Sequence, residues 1–158
     1  MVNFLKTMWS GVFEPLVQRP PALQVAALCY RKSDGVPEVL LITSSNGRWI
    51  LPKGWPIDGL LGHQAALQEA WEEAGVRKGN ADKKSIGQYL SKKQLGNGVE
   101  VPCRTVVYPV KVKAVADKFP EDDRRERRWA TSAIARELVT EPGLLDVLAI
   151  FEQQHSSN

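Results

Sequence analysis

The chain has 158 residues, 43% of them hydrophobic and 25% charged, which is the composition of a single globular domain. Its net charge of +3 is too small to indicate a nucleic-acid partner, and no stretch reaches the roughly 18 apolar residues of a candidate membrane span. The two cysteines, Cys29 and Cys103, are too few for a disulfide framework and favour buried free thiols. Since the N-terminus also lacks the apolar core of a signal peptide, we expect a soluble, cytosolic protein.

The first 20 residues contain apolar side chains at a roughly helical spacing, which ends at Pro20 and Pro21. This pattern predicts a short amphipathic arm, residues 1–20, ahead of one domain, residues 21–154. The arm would pack on that domain or on a second subunit, so a homodimer is possible. Binding to a membrane surface is less favoured, because Lys6 and Arg19 are its only basic residues.

Two apolar runs, Leu23–Tyr30 and Glu38–Thr43, predict buried strands joined by a turn at Ser33–Gly35. A second turn follows at 44–47, and the Pro- and Gly-rich segment 52–56 then breaks regular structure. We therefore expect a hairpin and then a loop that leads into the next helix.

That helix places its acidic residues on one side. At about 100° per residue, Glu69, Glu72 and Glu73 fall within roughly 100° of one another, opposite an arc of mainly apolar residues, and Gly75 is suited to end the helix. Like charges at this spacing destabilise a helix by about 0.2–0.5 kcal/mol per pair, and these charges also lie toward its negative end. A solvated acidic face and a site for a divalent cation both fit this pattern, and the spacing alone leaves the choice open.

The second half of the chain alternates polar and strand-like segments. A polar stretch, 77–84, is expected to lack regular structure, and Gly96–Gly98 is expected to form a turn between strands. Pro109 predicts an edge strand or a bulge. The expected strands are 86–90, 94–95 and 105–115. A charged loop is expected at 119–128, a helix from Thr131 and a final helix at 144–151. Strands, one helix, more strands and then helices predict an α+β fold with a mixed sheet covered by helices.

The segment Leu51–Val76 resembles a Nudix box, a pattern of one glycine, spaced glutamates and a final glycine. Gly54, Glu69, Ala70, the pair Glu72 and Glu73, and Gly75 with Val76 match that pattern at the right spacing. Two positions depart from it, because Leu60 stands where the family has Glu and Gln68 stands where it has Arg.

The resemblance extends over most of residues 21–151. The runs AALCYR, EVLLITSS, RWILPKG and FPEDDRRERRWA are similar to the branch that hydrolyses diphosphoinositol polyphosphates and diadenosine polyphosphates. The resemblance implies a Nudix-type α/β/α sandwich with a central mixed sheet. It also implies hydrolysis of a phosphoanhydride bond with Mg²⁺ or Mn²⁺ as the cofactor and a phosphorylated small molecule as the substrate.

The resemblance also implies roles for individual residues. Glu69, Glu73, Glu72 and the main-chain carbonyl of Lys53 would be metal ligands, and Glu69 and Glu72 would be the catalytic residues, with Glu72 as the general base. Because the base differs between Nudix proteins, acids of the charged loop remain candidates. They are Glu121, Asp122 and Glu126.

Phosphate binding would fall to residues that match the anion-contacting positions of the family. These are Ser44, Ser45, Arg48, Arg124 and Arg125, with added charge from Arg31 and Lys53. Guanidinium groups suit phosphate geometry, but a run such as RRERR among acids is also typical of a salt-bridged surface. Trp55 and Trp129 are candidates for stacking on a base, although anchoring of a loop or of the core is the simpler expectation.

The departures at Leu60 and Gln68 leave two functions open. The first is a metal-dependent pyrophosphohydrolase acting on a nucleoside or inositol polyphosphate, and the second is a degenerate domain that binds a phosphorylated ligand or a protein partner without turnover. A hydrolase of RNA 5′ ends is a weaker third option, because the net charge provides little footprint for a nucleic-acid backbone.

Overall fold

The structure, a computed structural model, describes residues 21–156, so the expected N-terminal arm lies outside the described residues. Residues 21–156 form eight strands and three helices. The strands are β1 Ala22–Ser33, β2 Val36–Thr43, β3 Trp49–Ile50, β4 Lys53–Gly54, β5 Val76–Ala81, β6 Gly87–Gln94, β7 Glu100–Val115 and β8 Arg127–Thr131. The helices are α1 Gly62–Ala74, α2 Ser132–Leu138 and α3 Pro142–His155. None of these helices, within 21–156, is long and apolar enough to cross a membrane.

The strands form one mixed sheet in the order β3-β2-β1-β7-β5, with β4 on β1, β6 on β7 and β8 on β2. The predicted hairpin of β1 and β2 is confirmed, with antiparallel pairs from Tyr30 and Val39 to Ser33 and Val36. The centre is the parallel pairing of β1 with β7, from Ala22 opposite Cys103 to Tyr30 opposite Lys111. The mixed sheet expected from the sequence is therefore present, and the chain has an α+β fold.

Helices cover both faces of this sheet. Ala27 and Cys29 of β1 face α1, where Ala66, Ala70 and Ala74 pack against them. The alternate β1 residues, Ala26 and Leu28, lie in the core cluster beneath α2 and α3, which includes Phe151. Since successive side chains of a strand point to opposite faces, an almost continuous apolar run is what a strand covered on both sides needs. Both cysteines are buried and free, as predicted.

The expectation of an irregular polar stretch at 77–84 is wrong. Residues Val76–Ala81 form β5, an edge strand paired with β7 and interrupted by register shifts at Val76, Lys78 and Gly79. An edge strand with one face toward solvent carries polar side chains, so its composition resembles that of a loop.

The expected edge position of Pro109 is also wrong, because β7 is central. Along one side β7 pairs with β6 through residues 100–107 and then with β5 through residues 110–115. Pro109 lies in the interval between these two partners, where its carbonyl accepts a hydrogen bond from the N–H of Asp82 at 2.9 Å. A residue without an N–H is tolerated there because no strand on that side requires the donor.

Other turns and helices lie at their predicted positions or within a few residues of them. The predicted turn at Gly96–Gly98 is confirmed, closed by the N–H of Leu95 donating to the carbonyl of Val99 at 2.8 Å, and it connects a single β6 to β7. The helix expected from Thr131 begins with Thr131 as its N-cap, whose hydroxyl accepts from the N–H of Ile134. Pro142 opens α3 at its first position rather than preceding it, which suits the fixed φ of proline.

Candidate active site

Gly54 and Glu69 are in close contact. A Cβ placed on Gly54 would collide with the carboxylate of Glu69 and lie 2.8 Å from its Oε2. Gly54 has no positive φ, so the requirement for glycine comes from space rather than backbone conformation. Strand β4, paired with Val25 and Ala26 of β1, thus brings the predicted box glycine against the first predicted metal ligand.

Glu73 is the most buried acid of α1, with 3% exposure. Its Oε1 accepts a hydrogen bond from the main-chain N–H of Lys53 at 3.2 Å, and its Oε2 forms an ion pair with Nη2 of Arg125 at 2.9 Å. Because the N–H and C=O of one strand residue point to the same side, the Lys53 carbonyl lies on the edge of β4 that faces Glu73. Glu73 at Lys53 and Glu69 at Gly54 therefore lie against the same short strand, and their role as metal ligands stays a prediction.

Burial changes the protonation of the two candidate ligands. Burial raises the pKa of Glu73 to about 7, although Arg125 and the Lys53 N–H act in the opposite direction. Burial likewise raises the pKa of Glu69 to about 6, and the neighbouring charges of Glu72 and Glu121 add to this effect. Both carboxylates are thus poised to exchange a proton for a cation near neutral pH.

Glu72, the predicted general base, is partly exposed at the edge of this cluster. Its Oε1 accepts a hydrogen bond from Nε2 of Gln68 at 2.8 Å. Among the loop acids, Glu121 is the one whose charge reaches Glu69 and Glu73, but its Oε1 accepts two hydrogen bonds from Arg125. Asp122 is occupied differently, since its Oδ2 accepts the N–H of Phe119.

The charged loop is attached to the C-terminal end of α1. The N–H of Glu121 donates to the carbonyl of Glu72 at 3.0 Å, and Nη1 of Arg127 donates to the carbonyls of Ala74 and Ala116 at 2.9 Å each. Gly75 ends the helix in the left-handed conformation at φ 71°, which confirms the predicted C-cap. Sequence reasoning did not identify Arg127, which stabilises the helix carbonyls that a C-terminus leaves unpaired.

Lys53 also lines an open cleft of about 920 Å³, whose lining does not include Glu69, Glu72 or Glu73. The predicted residues Ser44, Ser45 and Arg48 line it, and the Ser44 hydroxyl accepts the N–H of Arg48 within a tight turn. Lys92 and Lys93 of β6 also line it. The sequence analysis missed these two lysines; the available signal was the pair of consecutive cations between the predicted strands 86–90 and 94–95.

The other predicted phosphate ligands do not line this cleft. Arg124 is exposed, with its guanidinium 3.7 Å from Asp123 and 3.9 Å from Glu121. Nε and Nη2 of Arg125 contact Glu73 and Glu121 instead. Arg31 lies on the face of Trp129, 4.1 Å from the ring centroid, and pairs with Glu38, so these residues anchor the surface of the sheet. Trp55 is 44% exposed and carries Nζ of Lys93 over its ring.

The oxygen donors of this site suit a hard divalent cation. Two carboxylates and one carbonyl match Mg²⁺, which is usually held by one or two carboxylates together with water and substrate phosphates. Across the described range 21–156, no three acidic, histidine or cysteine side chains converge into a complete metal site. Glu69, Glu73 and the Lys53 carbonyl would therefore hold the ion in part, and the ligand role of Glu72 stays a prediction.

Sequence comparison identifies relatives among the plant Nudix hydrolases, although no protein-family model matches the chain. The chain is 36% identical over 122 residues to Nudix hydrolase 16, mitochondrial, of Arabidopsis thaliana, a match that covers 74% of this chain and 66% of that protein. It is 31% identical over 118 residues to Nudix hydrolase 4 of the same plant, covering 73% of this chain and 54% of the relative. About a third or more of each relative lies outside the match.

Solved structures show the same fold. A C. elegans Ap4A hydrolase, solved as a binary complex, superposes with a TM-score of 0.69 at 20% identity, covering 87% of this chain and 99% of that one. The NUDIX domain of Shewanella oneidensis NrtR, crystallised with ADP ribose, superposes with a TM-score of 0.65 at 18% identity, covering 94% and 97%. The predicted Nudix-type sandwich around a mixed sheet is therefore confirmed.

Proposed function

Because this chain belongs to the Nudix hydrolase family, we propose that it is a metal-dependent pyrophosphohydrolase that cleaves a phosphoanhydride bond. One observation carries the proposal: Glu69 and Glu73 meet at Lys53 and Gly54, and Lys53 also lines a cleft together with Arg48, Lys92 and Lys93. Although Glu100 and Glu141 line the cleft as well, its four basic side chains outnumber these two acids. Acidic oxygens beside a group of basic side chains are what the cleavage of an anionic polyphosphate requires.

The acidic end would hold the cofactor. Glu69, Glu73 and the carbonyl of Lys53 are the residues that would bind Mg²⁺ or Mn²⁺. When bound, such a cation neutralises phosphate oxygens and lowers the pKa of water. Gly54 leaves the space in which the Glu69 carboxylate lies, and the Lys53 N–H fixes one oxygen of Glu73.

The cationic end would bind the phosphates of the substrate. Arg48 offers a planar fork of donors, and the lysines offer mobile point charges. Ser44 and Ser45 add hydroxyl groups at the same wall. A nucleoside or inositol polyphosphate fits this arrangement. One structural neighbour is an Ap4A hydrolase and another was crystallised with ADP ribose, and both compounds contain linked phosphate groups.

Glu72 is the proposed general base. It is partly exposed, within reach of water, and the hydrogen bond from Gln68 holds its Oε1. Glu121 is the alternative, although Arg125 already occupies its Oε1. A positioned base typically contributes about 10²- to 10⁴-fold to a rate.

The test is hydrolysis of a diphosphoinositol polyphosphate and of a diadenosine polyphosphate, with Mg²⁺ and with Mn²⁺, followed by chromatography of the products. We expect turnover of at least one substrate, abolished by EDTA. Glu69→Gln, Glu73→Gln and Glu72→Gln should each lower kcat by about 10²- to 10⁴-fold. Glu137→Gln, on the exposed surface of α2, is the matched control and should not change kcat.

The second candidate is a binding domain without turnover, which the replacements at positions 60 and 68 favour. No turnover of any substrate, together with ligand binding at the cleft, would establish that candidate and contradict the proposed hydrolase. If Glu72→Gln alone kept full activity, the base would be reassigned, and Glu121→Gln would be the next variant to measure.

A further inference from the structure

The acidic cluster at the end of α1 is crowded. Glu69, Glu72 and Glu73 lie on adjacent turns, and Glu121 joins them from the charged loop through the hydrogen bond of its N–H to the Glu72 carbonyl. Glu69 lies close enough to Glu72 and Glu121, and Glu73 to Glu69 and Glu121, for their negative charges to repel one another, and Glu73 is nearly removed from solvent. Such a cluster needs a cation of the protein itself if it is to keep its arrangement before a metal arrives.

Position 68 does not provide that cation. Gln68 is neutral, and its amide donates at 2.8 Å to Oε1 of Glu72, a partly exposed acid of the same helix. An amide supplies a hydrogen bond without a charge. Gln68 therefore brings no positive charge to the buried carboxylate of Glu73.

Arg125 reaches Glu73 from the other side of the site. Its Nη2 lies 2.9 Å from Oε2 of Glu73 and 3.1 Å from Oε1 of Glu121, and its Nε lies 3.3 Å from the same Glu121 oxygen. Within residues 21–156, it is the only basic side chain at ion-pair distance from a glutamate of α1. One guanidinium thus bridges the helix and the loop.

The guanidinium is itself held in place. Its remaining nitrogen, Nη1, donates to the carbonyl of Thr43 at 2.8 Å, at the end of β2. The next residue, Glu126, exchanges two hydrogen bonds with Thr43, one through the main chain and one from its N–H to the Thr43 hydroxyl. With the side chain of Arg125 only 18% exposed, the strand, the loop and the helix are joined through one residue.

We propose that Arg125 is a positioning residue that holds Glu73 in its metal-binding orientation, in place of the cation that position 68 lacks. Each oxygen of Glu73 then has one fixed partner, since Oε1 accepts the Lys53 N–H and Oε2 forms the ion pair with Arg125. Because a carboxylate oxygen has two lone pairs, each oxygen keeps one for a metal ion. This assignment rests on the proposed function, and it moves Arg125 from the phosphate-binding set of the sequence analysis to the support of the metal site.

The test measures Mn²⁺ affinity by calorimetry without substrate, alongside kcat and KM. Arg125→Gln should weaken Mn²⁺ binding by about 10- to 100-fold, as the loss of a residue that orients a metal ligand does, and should lower kcat with little change in KM. Arg125→Lys should recover part of the affinity. Arg128→Gln, exposed on β8, is the matched control.

A second-site variant separates positioning from simple stabilisation. Gln68→Arg should restore Mn²⁺ affinity in the Arg125→Gln background, because it places a cation beside the acidic cluster from the helix. Unchanged Mn²⁺ affinity in Arg125→Gln, or a rise in KM alone, would overturn the proposal in favour of a phosphate ligand. A loss that follows the melting temperature and that neither Arg125→Lys nor Gln68→Arg recovers would overturn it in favour of a structural role. A chain that binds Mn²⁺ but hydrolyses nothing would contradict the proposed function, while the affinities of the variants would still decide the role of Arg125.

Discussion

At two residues of the site, cation binding and burial favour opposite protonation states. Glu69 and Glu73 must be charged to bind a cation, yet burial favours their neutral forms. Position 54 requires glycine, because any side chain there would occupy the volume of the Glu69 carboxylate. At these residues, a change of one methyl group or one charge should therefore have a large effect on the proposed reaction.

Gly54→Ala should impair the site more than it impairs the fold. The added Cβ collides with the Glu69 carboxylate, so we expect Glu69 to move and kcat to fall by about 10²-fold, the effect of a misplacement of about 1 Å. The free energy of unfolding should fall by about 1–3 kcal/mol because of overpacking. Gly87→Ala is the control, since its Cβ would meet Val147 and Ile150 at ordinary contact distances. Wild-type turnover in Gly54→Ala would show that Glu69 does not act from this position.

Helix α1 carries the glutamates of the site, and different contacts hold its two ends. At the N-terminal end, Oε1 of Gln64 accepts the N–H of Leu61, and the ring of His63 lies 6.4 Å from that of Tyr108. The C-terminal end is joined to the loop by Glu121, Arg127 and the bond from Ala116 N–H to the Gly75 carbonyl. The well-anchored end is the one that carries Glu72 and Glu73, so the helix is fixed where the chemistry is proposed.

Gly75→Ala should therefore be unusually destabilising. The positive φ of 71° costs a non-glycine residue about 1–3 kcal/mol, and the added Cβ would lie 2.6 Å from Phe119 Cδ1 and 2.9 Å from the Ala116 carbonyl. Gly35→Ala isolates the backbone cost, since Gly35 has φ 79° and open space around it. We expect Gly75→Ala to lower the melting temperature more than Gly35→Ala, at about 2–4 °C per kcal/mol. Equal shifts would show that the contact with Phe119 and Ala116 carries no energy.

At the scale of the whole molecule, the sheet assembles a site from distant segments. The turn after β2, strand β4, the end of α1, strand β6 and the loop before β8 each supply part of it. The parallel pairing of β1 with β7 sets their relative positions. Metal binding at this junction should therefore be linked to the stability of the entire domain.

That linkage gives a dependence on pH. In the metal-free protein, the raised pKa values, about 7 for Glu73 and about 6 for Glu69, mean that the folded state holds protons that the unfolded state releases near 4.5. Stability of the metal-free protein should thus rise as pH falls from 7 toward 5. Mg²⁺ competes with those protons, so its stabilising effect should be full above pH 7 and lost as pH falls through 7 and then 6. Glu69 is partly exposed, so its share of this effect is the smaller.

Melting temperatures with Mg²⁺ and with EDTA, measured from pH 8 to pH 5.5, check this expectation. The difference between the two curves should shrink toward pH 5.5. The double variant Glu69→Gln, Glu73→Gln should show no difference at any pH. A Mg²⁺ effect of constant size across this range would place the cation away from these two carboxylates.

The acidic helix face, the Gly75 cap, the β1–β2 hairpin and the α+β layering followed from the sequence, because each depends on local periodicity or on one residue with a special backbone preference. Strand β5 and the place of Pro109 did not, since both depend on which strands lie alongside. The positions of the glutamates on one side of α1 can be read from the sequence alone, because the helical repeat orders them without reference to the rest of the chain. The burial of Glu73, its ion pair with Arg125 and the shared cleft of Lys92, Lys93 and Arg48 become visible once the chain is folded. Burial, ion pairs and clefts arise between segments far apart in the chain, and their register is set by the packing of the whole sheet.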